Sequence, residues 1–229
     1  MPTDETDFRH RFSGLVDLEA AAKVPIFQVG AGAIGNTVAQ SLVRTGFENL
    51  STMDFDKVDP INVMPQWYTV RDLGEFKVHA LGRRINEDLD VSITTLVDKF
   101  ESEEQIPEGT RFIIPAVDSI VVRKCIFDAA LKTEGVDLIV DGRMGARSGE
   151  MYAVWLADGE GVEKYAATLS SEGVADLPCS ERSTPYCAAA LGNMMVAYIA
   201  SAFRGEQEEV FQAFRVSMFN PAGLLFPVS

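Results

Sequence analysis

The most constraining stretch of this 229-residue chain is Val24 to Val29, VPIFQV, an apolar run with no regular polar alternation that ends directly in a glycine. A strand of that kind is covered on both faces, the situation of a parallel sheet held between helices. Gly30-Ala31-Gly32-Ala33-Ile34-Gly35 follows, and from Ala33 to Thr45 the residues Ile34, Val38, Leu42 and Val43 recur at helical spacing until Gly46 stops the helix. Strand, glycine turn and helix in that order are the context in which G-x-G-x-x-G has a physical meaning. The first glycine permits the tight turn, the second lets phosphates approach the backbone, the third packs helix on strand, and the helix N-terminus faces the anion. Asp54, at the end of the next strand, stands where an acid accepts hydrogen bonds from ribose hydroxyls. Gly30, Gly32, Gly35 and Asp54 therefore predict a nucleotide site and leave both NAD and ATP open.

The alternation continues. Strands are expected at Leu50 to Phe55, Val91 to Val97, Phe112 to Val117 and Val136 to Val140, with helices over Lys77 to Leu89 and Ile120 to Leu131. This order predicts an α/β fold, a doubly wound Rossmann-like and mainly parallel sheet with its ligand at the carboxyl ends of the strands. After Asp141 the alternation fades. Met151 to Ala157 reads as an antiparallel strand and Asp158 to Arg182 as a long polar loop. Val216 to Phe219 and Leu224 to Val228 read as edge strands that complete a C-terminal antiparallel extension. Tyr186 to Phe203 approaches membrane-span length, but Ser183-Thr184-Pro185 before it and Arg204-Gly205 after it are helix start and stop signals. A core or subunit-interface helix is expected, and no membrane partner.

The 20 Lys and Arg residues face 34 Asp and Glu, a formal charge of −14 that opposes nucleic acid and anionic membranes. Three cysteines (Cys125, Cys179, Cys187) without a CxxC pair, beside two histidines, argue against a disulfide framework or a zinc site. Residues 1–23 hold no apolar run, so the expected location is cytoplasmic.

More specific are Asp54-Phe55-Asp56-x-Val58-x-x-x-Asn62 with Gln66, then Gly74-x-x-Lys77, then Val117-Asp118 with Arg123 five residues on. Over Arg9 to Gly205 this pattern resembles the ThiF, MoeB, HesA and E1-like ubiquitin-activating adenylyltransferase family. Carried over residue by residue, the resemblance implies that Gly30, Gly32 and Gly35 line the phosphate loop and that Asp54 holds the ribose, with Asp56 and Gln66 also among the nucleotide-binding residues. Asn62 and Lys77 would contact the triphosphate, Asp118 would hold Mg²⁺, and Arg123 would brace that region. It further implies ATP and Mg²⁺ as cofactors and a homodimer in which Arg9 and Arg11 reach the neighbouring subunit's ATP. The partner implied is a ubiquitin-like β-grasp protein or peptide ending in glycine. Taken singly, Lys77 reads as a solvated helix-start lysine and Asp118 as a strand-end cap; their joint spacing carries the functional reading.

The chain also departs from the family. Asn-x-x-Arg-Gln becomes Asn62-Val63-Met64-Pro65-Gln66, where Pro65 cannot touch phosphate as the arginine does, and the paired zinc cysteines are missing. Cys179, in the stretch where the family's crossover loop runs, lies beside Arg182 and ahead of a helix start, a setting that lowers a thiol pKa. It is the candidate to accept an acyl group, against the reading of an inert loop cysteine. The expectation is one adenylation domain over 1–229, with an N-terminal arm at 1–23 and a crossover loop at 158–182. Its activity would be ATP-dependent adenylation of a carboxylate. A catalytically inactive nucleotide-binding scaffold is the alternative, and an NAD-dependent oxidoreductase a more distant one.

Overall fold

The computed structural model describes residues 14–145, 148–170, 184–217 and 225–227. Its eight strands form one sheet, β1 (Ile26–Val29), β2 (Leu50–Met53), β3 (Thr94–Leu96), β4 (Phe112–Pro115), β5 (Leu138–Met144), β6 (Ser148–Trp155), β7 (Gln212–Ser217) and β8 (Leu225–Pro227), in the order β3-β2-β1-β4-β5-β6-β7-β8. The first five are parallel, with Ile26 in register with both Leu50 and Phe112. From β5 onward the pairing is antiparallel. The 3-2-1-4-5 order of the parallel part reverses between β1 and β4, and a crevice opens at the carboxyl ends there.

Three of the four connections in the parallel half carry an α-helix, and the β3–β4 link carries a short 3-10 turn at Glu103–Gln105. The helices in chain order are α1 (Leu18–Ala21), α2 (Ala33–Arg44), α3 (Pro60–Val63), α4 (Lys77–Leu89), α5 (Ile120–Ala130), α6 (Gly159–Ala167) and α7 (Pro185–Phe203). Helix α2 ends where Gly46 takes φ +101°, and α4 ends at Asp90 with φ +55°. The core divides around the sheet: Leu42, Leu81, Ile114, Val140, Leu191 and Ile199 belong to one apolar cluster, and Phe27, Ile113, Phe127, Ile139 and Tyr165 to another. Helix α7 has the length and composition of a membrane span. Here it packs on α2, β5 and β6, with Leu191, Met195 and Ile199 fully buried and Tyr198 Oη accepting from Trp155 Nε1 at 3.2 Å.

Two expectations are corrected. The stretch after Asp158 is not loop throughout, because α6 occupies Gly159–Ala167, drawn in by Tyr165, which buries completely against Phe127 and Tyr152. The tail strand begins at Gln212 rather than Val216, since pairing with β6 extends from Ala153↔Gln212 to Ser148↔Ser217. Cys187 is buried, whereas Cys125 is partly exposed and its thiol donates to the Glu101 carbonyl at 3.3 Å. Burial pushes both thiols' pKa values up, away from the reactive thiolate.

Candidate active site

The glycine loop sits at the β1/β4 reversal. Gly30 needs its glycine twice over, since its φ is +103° and a Cβ would lie 2.4 Å from the Ala116 carbonyl oxygen. Gly35 lies so close to the strand that a Cβ would stand 2.1 Å from the Gly30 carbonyl oxygen. Gly32 differs. Its φ of −73° suits any residue, and a Cβ there would meet nothing within 4 Å. The fold itself thus explains the first and third glycines, while the open second one suits a phosphate group approaching the backbone. Gly32 is also the N-cap of α2 and supplies no side-chain acceptor to the first-turn N–H groups.

The loop's peptide groups are held from within. The Ala31 N–H donates to Asp54 Oδ2 at 2.7 Å, and the Ala31 carbonyl accepts from Tyr68 Oη at 2.7 Å. Gln28 Nε2 donates to the Gly30 carbonyl at 2.9 Å and the Gly35 carbonyl at 3.0 Å. Asp54 Oδ1 accepts from the Asp56 N–H at 2.8 Å. Burial is the largest influence on the Asp54 carboxyl and pushes its pKa upward despite these donors.

Lys77 begins α4 and is buried, with its Nζ 2.8 Å from Asp56 Oδ2 and its own N–H donating to the Asp56 carbonyl at 2.9 Å. Asp56 therefore holds the lysine, and its carboxylate is half exposed on the other side. Asn62 is buried and accepts the Asp59 N–H through Oδ1 at 2.9 Å, so its NH₂ group is what it offers a ligand. Gln66 Oε1 is buried and meets no hydrogen-bond partner among the described residues.

Between Asn62 and Lys77 the chain forms a braced platform. Asp72 is 1 % exposed. It accepts the Thr69 N–H at 2.6 Å and is paired with Arg83 at 2.6 Å and Arg84 at 3.0 Å. Arg84 also bonds the carbonyl of Trp67, which has φ +61°. The platform carries Ile61, Met64, Trp67 and Val70 with half or more of their surface exposed. Burial alone would raise the Asp72 carboxyl, but the donors from Thr69 and Arg83 and the Arg84 charge outweigh it and hold it below the ordinary aspartate value. A depressed pKa contributes stability that is fully present above the unfolded-state value and lost as pH falls through the folded one. Acid titration of wild type and Asp72→Asn, followed by the fluorescence of Trp67 and Trp155 together, will show wild type more stable at neutral pH and the gap closing as Asp72 protonates.

At the carboxyl end of β4, Asp118 is exposed two residues beyond Ala116, whose carbonyl faces Gly30. Arg123 is buried on α5. Its guanidinium bonds the Pro115 carbonyl at 3.2 Å, the Gly142 carbonyl at 3.0 Å, the Val117 carbonyl and the carboxylate of Asp141. Burial pushes its pKa down to about 10, which leaves it a cation at neutral pH. Arg123 thus holds the backbone next to Asp118 and shapes the site from behind. Asp141, wholly buried, also accepts from Arg143 Nε at 2.7 Å and Tyr165 Oη at 3.0 Å. Arg143 in turn donates to the Thr168 carbonyl at 3.0 Å and Oγ1 at 2.9 Å, and lies over the Tyr152 ring.

Asp54 thus contacts the glycine loop from the end of β2, and Ala116 seats it from the end of β4, two residues before Asp118. Lys77 is held on Asp56, Arg123 braces the backbone beside Asp118, and Asn62 and Gln66 lie on the segment that joins Asp56 to Lys77. Arg9, Arg11 and Cys179 lie outside the described residues. Gln28, Tyr68, Asp72, Asp141 and Arg143 were not singled out from sequence. Gln28 had a signal available, as a polar residue inside an apolar strand; the others depend on partners far along the chain.

The ThiF family pattern matches residues 7–222. The chain belongs to the ThiF family. Among its ThiF-family relatives, the tRNA threonylcarbamoyladenosine dehydratase of Escherichia coli (strain K12) is 26 % identical over 151 residues, 61 % of this chain and 56 % of that protein. The sulfur carrier protein ThiS adenylyltransferase of Bacillus subtilis (strain 168) is 32 % identical over 124 residues, 52 % of this chain and 37 % of that protein. The chain therefore spans only about half or less of these relatives' lengths. Among solved structures, PaaA superposes with a TM-score of 0.71 at 16 % identity, covering 93 % of this chain and 75 % of that one. E. coli MccB with ATP superposes with a TM-score of 0.70 at 10 % identity, covering 93 % and 64 %. Both likenesses show a shared fold.

Proposed function

We propose that this chain is an ATP-dependent adenylyltransferase that activates the C-terminal carboxylate of a small ubiquitin-like protein or peptide. The observation that carries the reading is the pairing of an open Gly32 at the N-terminus of α2 with a buried lysine held on the same rim by Asp56. Solved relatives of this fold in complex with ATP and with AMP support the choice of adenine nucleotide over NAD.

In the proposed reaction a carboxylate oxygen of the substrate attacks the α-phosphorus of ATP, the bond to the bridging oxygen breaks, and pyrophosphate leaves with that electron pair. Negative charge grows on the phosphate oxygens. Lys77 and the first-turn N–H groups of α2 are already in place to stabilise it, so little reorganisation is needed in the transition state. Asp54 is proposed to accept from the ribose, and the Asn62 NH₂ to donate to the phosphates. Among the described residues no group of three or more His, Cys, Asp or Glu is placed to hold a metal. A lone Asp118 is still compatible with Mg²⁺, which takes one or two carboxylates together with substrate phosphates and waters. Bound there, Mg²⁺ would neutralise phosphate charge.

The proposal extends to a homodimer in which Arg9 and Arg11 reach across to the partner's nucleotide, and to a cytoplasmic setting. A substrate protein that is basic at its contact face would suit a chain of net charge −14. Transfer of the activated acyl group to the Cys179 thiolate, with AMP as the leaving group, would follow. The second reading is a scaffold that binds ATP without reacting, which Pro65 favours by replacing the family's phosphate-touching arginine.

The test is ATP–pyrophosphate exchange with purified protein and glycine-ended candidate partners. Exchange that depends on a partner is expected. ATP binding without exchange under any partner would favour the scaffold, and binding of NAD in place of ATP would overturn both readings.

A further inference from the structure

One buried polar side chain that touches the glycine loop is Gln28, which has no exposed surface and lies within an otherwise apolar strand. Placing an amide there is costly unless it does something that an aliphatic residue cannot. Its oxygen, Oε1, is buried with no hydrogen-bond partner among the described residues, so the acceptor half of the amide contributes nothing visible. All of its partnering is through Nε2, whose two protons go to the carbonyls of Gly30 and Gly35, the first and last residues of G-x-G-x-x-G. A loop that receives an anion must present N–H groups outward and turn its carbonyl oxygens away. Gln28 performs that second task at both ends of the loop, as Tyr68 does for Ala31 in between.

We propose that Gln28 is a positioning residue for the phosphate-binding loop, acting as a two-pronged donor that draws the Gly30 and Gly35 carbonyls inward and leaves the amides from Gly32 onward, beyond those of Gly30 and Ala31 that bond Met53 and Asp54, to face the nucleotide phosphates. This rests on the nucleotide reading above. It predicts that Gln28 matters for phosphates and not for the nucleoside, since it touches neither and acts only through the loop's shape.

The experiment compares wild type, Gln28→Glu and Gln28→Met by calorimetric titration with ATP and with adenosine. Glutamate keeps the shape and loses the donors; methionine keeps the volume and removes both the donors and the unpartnered oxygen. Both variants are expected to lose about tenfold or more in ATP affinity, on the order of one or two hydrogen bonds to the loop, while adenosine affinity stays within about twofold of wild type at that resolution. Gln28→Glu should be the worse of the two, because a buried carboxylate repels the carbonyls it faces. If glutamate does not fold, the methionine variant alone decides. Unchanged ATP affinity in a folded variant overturns the proposal, and an equal loss for ATP and adenosine shows a merely structural residue and overturns it too. Failure of wild type to bind either ligand would instead overturn the nucleotide reading, and this inference with it.

Discussion

Lys77→Ala will reduce ATP–pyrophosphate exchange by about a hundredfold or more, the scale seen when a preorganised group facing developing charge is removed. The expectation comes from how the lysine is held. Its ammonium is buried at the first residue of α4, its backbone N–H and its Nζ both return to Asp56, and so it has one orientation before any ligand arrives. Stability should change far less. Asp56 is half exposed, so removing its partner leaves a solvated carboxylate, with a cost of about 1 kcal/mol or below. Lys77→Met, which keeps the aliphatic stem, should lose exchange to the same degree, and normal exchange in either variant would remove Lys77 from the site.

Asp141→Ala should be the most destabilising single change in the described fold. The carboxylate has no exposed surface and joins Arg123, Arg143 and Tyr165, so its removal strands two guanidinium groups that face it. Breaking a buried pair in this way costs about 3–5 kcal/mol, which for a chain of this size lowers the melting midpoint by on the order of 10 °C. Arg111 and Asp137 make an internal comparison, as their 2.6 Å ion pair is about half exposed at both ends. Asp137→Ala should cost about 0–1 kcal/mol. Thermal melts of the two variants side by side check the contrast, and equal shifts would mean that the Asp141 network contributes no more than a surface pair.

Much of the fold was legible because local signals agreed with one another. VPIFQV, the glycine loop and the periodic helix after it each pointed to the same β1-α2 unit, and Lys77 and Asp118 were placed by spacing at the ends of the elements where the structure has them. Helix α6 was missed because Gly159 and Gly161 lower its intrinsic propensity and only Tyr165 anchors it strongly. Strand β7 was placed late because its Gln212 to Arg215 segment is only partly buried and is bounded by those two polar residues. The Asp141 network was invisible for another reason: its members lie on β5, α5 and α6, and nothing local in sequence brings them together. Gln28 looked like an interruption of an apolar strand, and only the positions of two carbonyls reveal its task.

The seat of Gly30 on Ala116 divides the site between the first and fourth strands, which pair directly although more than a third of the chain intervenes. Contacts so remote in sequence carry the greatest loop-closure entropy and form late in folding. A chain that has collapsed around the local β5-β6 hairpin but has not yet joined β1 to β4 therefore offers no cradle for a nucleotide. Ligand that binds only the finished fold draws the population toward it by mass action, so nucleotide would act on this protein as a selector for chains that have completed folding.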